Sequence, residues 1–166
     1  MKFVVDGMLG KLTRWLRLAG QNVVYLGDLE VSTETEDKAL IRLAEKEDRI
    51  LLTRDLELHR KAIRCRIKSI YVENEDIAKQ LAEISKQIDE TIHIDLWNSR
   101  CPLCNGRLDS VGKLAVKNEV PQKTFKKHER FWKCTKCNKI YWAGSHWENI
   151  AKTSERYERL MEDPSC

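Results

Sequence analysis

No stretch of the 166 residues approaches the run of about 18 apolar positions that a membrane-spanning helix needs. Proline is scarce, at 3 residues, and no internal repeat or low-complexity tract breaks the pattern, which excludes collagen-like and linker-dominated chains. The opening MKFVVDGMLGKLTRW carries acid and base too early for a secretory leader. A cytoplasmic protein without a membrane partner is therefore expected. Hydrophobic residues make up 42% and charged residues 34%, enough apolar surface to offset the chain's ordering entropy. The length excludes two large domains and allows one full domain with a small stapled companion.

Cysteine and charge divide the chain in two. Of 6 cysteines, four form CPLC (Cys101, Cys104) and CTKC (Cys134, Cys137), whereas Cys65 and Cys166 belong to no motif. Two CxxC turns supply four thiolates, a set that suits one tetrahedral metal, zinc before iron. Filled by four sulfurs, such a site is structural. Residues 1–97 hold 16 basic and 18 acidic groups, net −2, while residues 98–144 hold 11 and 3, net +8. That basic segment favours a polyanion.

The hydrophobic pattern places a strand at KFVVD, a helix in LGKLTRWLRLAG stopped by Gly20, and a strand in NVVYL. A helix through DKALIRLAEKED, a strand ILLT, a helix LELHRKAI, a strand IKSIYV and a helix EDIAKQLAEISKQI follow. Strands alternating with helices predict an α/β fold with a mostly parallel sheet covered on both faces, over residues 1–92. Residues 98–150 read as a metal-stapled ribbon with strand-like pieces KLAV and KIYW. A terminal helix and tail cover 151–166, with Ile150, Tyr157 and Leu160 as packing residues of WENIAKTSERYERLM.

Asp6 ends the first strand, Asp37 opens a helix, and Asp55 ends the strand that this helix feeds. In an open parallel sheet the carboxyl ends of strands face the ligand crevice, so these acids can converge on one rim, with Asp28 joining from the second strand. Such a cluster repels itself unless a hard divalent cation, magnesium or manganese, is present. An ion of that kind activates water against a phosphodiester. Taken singly, each acid has a plain structural role as helix cap, turn former or strand end. Glu30, Glu34, Glu36 and Glu57 read as solvated charges.

Lys11, Arg14 and Arg17 recur every three residues on the first helix, as a phosphate-contacting rail or a solvated face. Lys123, Lys126, Lys127, Arg130, Lys133, Lys136 and Lys139 crowd the second cysteine pair, interleaved with Phe131, Trp132, Tyr141, Trp142 and Trp147. Basic groups suit phosphates and aromatic faces suit unpaired bases, which makes RNA the expected partner. Trp132 and Trp142 also serve as core in so small a domain. His146 stands near a phosphate or metal rim or is structural, and His59, His93 and His128 have no evident partner.

The acids 18 positions apart in DKALIRLAEKEDRILLTRD resemble the paired acids of PIN-domain ribonucleases. More closely, VDGMLGKLTRWLRLAG, LLTRD, RCPLCNGRL and FWKCTKCNKIYWAGSHW together resemble the Mut-seven C-terminal ribonuclease family, over residues 2 to 147. That resemblance implies a PIN-like three-layer α/β/α domain fused to a zinc ribbon. It also implies metal-dependent RNA cleavage with Asp6, Asp37 and Asp55 as magnesium or manganese ligands. PIN domains carry a further acid on a helix for which this chain has little room, and Asp28 is the available substitute. The chain also resembles ribosome-maturation endonucleases, which join a PIN domain to a zinc ribbon; that resemblance implies precursor ribosomal RNA as one substrate class, with transfer and messenger RNA left open. The alternative is a non-catalytic zinc-ribbon RNA-binding adaptor with a vestigial nuclease domain. An aspartyl-nucleophile phosphatase fits less well, since it wants a second Asp where Met8 stands.

Overall fold

A computed structural model describes residues 1–30, 32, 35–95, 97–144 and 146–162, leaving out the side chain of His146. The expectations for Glu34, for Cys166 and for the His146 ring lie outside this set. Short apolar strands alternate with amphipathic helices: β1 (Lys2–Val5), α1 (Gly10–Leu18), β2 (Asn22–Tyr25), α2 (Glu36–Glu47), β3 (Ile50–Thr53), α3 (Leu56–Arg64), β4 (Ser69–Tyr71) and α4 (Ile77–Ile88). The strands pair in the order β2-β1-β3-β4, and every pairing is parallel.

Alternation along each strand splits the apolar side chains between two cores. Phe3 and Val5 of β1 and Leu52 of β3 face α1 and α4, joining Leu12, Leu16, Leu81 and Ile84. Val4 and Leu51 face the opposite way, against Leu40 and Ala44 of α2 and Leu58 and Ala62 of α3. The result is the expected three-layer α/β/α arrangement.

Helix ends follow their residues. Asp55 and Asp76 cap α3 and α4 through side-chain oxygens that accept helix N–H groups. Gly20 follows α1 with φ +76, a left-handed conformation that suits glycine, and its N–H donates to the Arg17 carbonyl.

The basic segment folds as an antiparallel sheet β5-β6-β7 (Leu108–Val111, Phe131–Cys134, Ile140–Trp142), with a short helix α5 (Gln122–Lys127) between its first two strands. KLAV is not a strand but a 3-10 turn over Lys113–Val116. Alternation would put Leu114 and Val116 on one face, yet Leu114 is 81% exposed and Val116 is buried.

The terminal helix α6 (His146–Glu162) begins before the expected boundary at 150 and packs on α4. Tyr157 carries the contact: its ring is buried in the α1/α4 core, and its hydroxyl accepts the Ile92 N–H at 2.7 Å beside Ser85 Oγ at 2.8 Å. The chain thus leaves the first domain, builds the ribbon and returns. Among the described residues, no helix is long and apolar enough to cross a membrane.

Candidate active site and zinc centre

The chain runs from β1 to β2 on one side of the sheet and then crosses to β3 on the other, so the crevice beyond the carboxyl ends of β1 and β3 is a topological switch point. Asp6 and Asp55 stand at this crevice. Asp6 is 5% exposed. Its carboxylate accepts the Met8 N–H at 2.8 Å and the Arg54 N–H at 3.1 Å, and takes a short bond from the Thr53 hydroxyl. Thr53 Oγ1 in turn accepts the Asp55 N–H at 2.8 Å. One threonine therefore joins the two strand-end aspartates. Sequence reasoning passed over it, although it stands inside LLTRD.

Asp55 keeps one oxygen on the N–H groups of Glu57 and Leu58, at 2.7 and 3.1 Å, and remains exposed. Asp37, in the first turn of α2, meets Lys61 of α3 at 2.6 Å. The hydrogen bond and charge of Asp37, followed by the charges of Asp55 and Glu57, raise the Lys61 pKa. Lys61 thus stands among the rim acids as their cation, another contribution that a linear pattern does not show. Among the described residues, only the four cysteines form a preassembled metal-sized group.

Two expected site residues pair with each other instead. Arg17 is 3% exposed and donates to Asp28 at 2.7 Å and to the carbonyls of Val23, Pro102 and Leu103. Lys11 and Arg14 are exposed. A step of three residues turns a helix by about 300°, so by the third basic position the side chain has drifted about 120° from the first. Arg17 consequently points into the seam with the ribbon and is not available as a rail, and the seam holds Asp28.

That seam fixes the first cysteine turn. Ser99 Oγ donates to the Leu18 carbonyl at 2.6 Å, the Arg100 N–H to the Arg17 carbonyl at 2.8 Å, and the Val23 N–H to Asn105 Oδ1 at 3.1 Å. The two turns are built alike, as CPLCN and CTKCN. Asn105 and Asn138 both adopt positive φ, and their N–H groups close the turns on the Cys101 and Cys134 carbonyls.

The four sulfurs lie within 4.8 Å of one another, with Cys101 and Cys137 3.7 Å apart and Cys104 and Cys134 3.4 Å apart. A tetrahedron of zinc–sulfur bonds has sulfur–sulfur edges of about 3.8 Å, so the donor set fits zinc. A Cβ on Gly106 would sit 2.8 Å from the Cys134 sulfur, which is why glycine closes this cradle. Burial raises the Cys101 thiol, but bonds from the Tyr141 hydroxyl and the Cys104 and Leu103 amides outweigh it and lower the pKa to about 7. Cys104 is pushed up to about 12, by burial first and then by the other three sulfurs, against the Gly106 amide.

On the ribbon surface, Lys123, Lys126, Lys127, Arg130, Lys136 and Lys139 are exposed, while Lys133 pairs with Glu119 at 2.8 Å. Phe131 and Trp132 are buried, Trp142 is exposed, and His128 tilts against Trp142. His59 meets Ser69 Oγ at 2.9 Å and is structural. Trp97, which the sequence pattern did not single out, is 60% exposed.

No curated protein and no solved structure matched the chain. A family model described as the Mut7-C RNAse domain matches residues 1–154, spanning the parallel sheet, the cysteine turns and the start of α6. The chain belongs to the Mut7-C RNAse domain family.

Proposed function

We propose that the protein is a metal-dependent ribonuclease whose reaction takes place at the switch-point crevice. The observation that carries this reading is the Asp6–Thr53–Asp55 link across the carboxyl ends of two adjacent parallel strands. Asp6, Asp37 and Asp55 would hold magnesium or manganese, since they bring hard oxygen donors and little else to the rim. A divalent ion held there supplies an activated water and a counter-charge for the scissile phosphate. Thr53 and the backbone N–H groups of Met8 and Arg54 keep the Asp6 carboxylate aimed. Lys61 balances Asp37 and would yield that place to a divalent cation. Asp28, engaged by Arg17, stays outside the set. Lys123, Lys126, Lys127, Arg130 and Lys136 hold the RNA phosphates, with Lys11 and Arg14 nearer the sheet domain. Hydrolysis by water at such a site leaves a 5′-phosphate and a 3′-hydroxyl. A cytoplasmic location suits four ligating thiols.

The decisive experiment is cleavage of end-labelled single-stranded and structured RNAs by zinc-loaded protein with manganese, comparing wild type with Asp37→Asn. Activity lost only in the variant supports the reading. Equal cleavage by both proteins is a contaminant's signature and overturns it.

A second reading is favoured by the Lys61–Asp37 pair, which already balances one of the rim charges. On this reading the chain is an RNA-binding adaptor with a vestigial nuclease fold. Tight, salt-sensitive RNA binding without turnover in either protein would establish it.

A further inference from the structure

Where the chain passes from the sheet domain into the ribbon, it crosses the end of α1 and leaves a polar recess of about 450 Å³. Gly20, Trp97, Arg100, Arg107 and Asp109 line it. Arg100 and Arg107 face each other in an isolated antiparallel bridge. Like charges placed opposite each other in this way are destabilising. Arg100 uses one N–H on the Asn105 carbonyl at 2.9 Å. Among the described residues, neither guanidinium forms an ion pair, and Asp109, the acid on the same wall, pairs with neither. An anion entering the recess would relieve that repulsion.

Beside the two arginines stands an indole that is exposed and yet held. Trp97 meets the buried Trp132 edge-on, with ring centroids 5.9 Å apart and planes at 74°. Its backbone N–H donates to Asp95 Oδ1 at 2.9 Å, and the Arg130 guanidinium lies 5.5 Å from its ring centroid. The indole's contact with Trp132 serves the fold, yet 60% of the residue's surface stays in water. A flat partner covering it would gain both stacking and the neighbouring cation. Two guanidiniums and an aromatic platform in one recess match the two parts of a nucleotide, a phosphate and a base.

We propose that this recess seats a nucleotide of single-stranded RNA, with its phosphate between Arg100 and Arg107 and its base against Trp97. The proposal rests on the reading of RNA as substrate and adds a single-strand preference, because a base in a duplex is already stacked and cannot cover Trp97. The seat lies on the interdomain seam, beside the end of the helix that carries Lys11 and Arg14. RNA held there contacts both modules.

The test measures binding of a labelled short oligouridylate and of an RNA duplex to the zinc-loaded full chain, without a cleavage-supporting divalent cation. Trp97→Ala and Arg107→Ala should each weaken oligouridylate binding about tenfold, and Trp97→Phe should retain most of it. Duplex affinity should change less than about twofold, and Arg107→Ala should reduce the salt slope for oligouridylate by about one. Unchanged oligouridylate binding in both alanine variants overturns the proposal, as do equal losses for single strand and duplex. Zinc content checks folding. Should Trp97→Ala lose zinc through its contact with Trp132, the exposed Arg107 carries the test alone. A wild-type protein that binds neither RNA overturns the RNA reading itself, a result distinct from variants that bind like wild type.

Discussion

The parallel sheet buries apolar side chains on both of its faces, whereas among the described residues the ribbon's cluster buries Leu108, Trp132 and two cysteines, with Phe131 and Val116 buried besides. One region is held by burial, at about 25 cal/mol per Å² of apolar surface, and the other by four sulfurs around a metal-sized space. Stability and function therefore respond to different insults in the two regions. Core truncations endanger the sheet, and chelators endanger the ribbon. They meet at Arg17, whose buried guanidinium holds two carbonyls of the first cysteine turn.

The comparison breaks most completely at the metal. Cys134→Ser should abolish stoichiometric zinc binding and unfold the ribbon, since structural zinc contributes on the order of 10 kcal/mol in small domains. Native mass spectrometry for zinc, with circular dichroism for the helices, separates this from global unfolding. Retained zinc in the variant would refute the four-sulfur site.

Next in size is Tyr157→Ala, which removes a buried ring and leaves the Ile92 N–H without its acceptor. A loss of about 3–5 kcal/mol in denaturant unfolding is expected, with α6 detached from α4. Tyr157→Phe keeps the ring but still strips the Ile92 N–H and Ser85 Oγ of their partner, and should cost about 1–3 kcal/mol.

Arg17→Met keeps much of the side chain's bulk but leaves the Val23, Pro102 and Leu103 carbonyls without this donor. About 2–3 kcal/mol should be lost, with faster amide exchange at both the β2 end and the first cysteine turn. Exchange that quickens on one side only would show that the seam is not shared.

The smallest effect concerns pH. Burial works against the charge on Asp76, but the Lys79 N–H and Arg156, at 3.1 Å, hold its pKa below the usual carboxylate value. A depressed carboxyl stabilises the fold above its unfolded pKa, and the contribution is lost as pH falls through the lower, folded one. Asp76→Asn should flatten the acid limb of the stability curve, by no more than about 1 kcal/mol, because the pair is partly exposed.

Strong local signals made much of this legible in advance. Apolar strands of four residues, helix stripes and two CxxC turns name their own structures, because period and ligand spacing are properties of neighbouring residues. KLAV failed as a strand because it has no partner, and pairing is not a local property. Asp6 and Asp55 were legible as strand ends, and Asp37 as a helix start. Thr53 and Lys61 were not, because each acts through residues that only the sheet and the α2–α3 contact bring near. Trp97 stands alone in the sequence, and its platform exists only beside Trp132 and Arg130.

By itself the sequence determined the α/β class, the sulfur ligands and the basic bias of the ribbon, since these follow from residue type and short-range spacing. Only the tertiary structure decided that Arg17 and Asp28 belong to the seam, that α6 completes the first domain's core, and that Arg100 and Arg107 confront each other. Burial and charge pairing depend on which distant residues share a surface, and folding alone settles that.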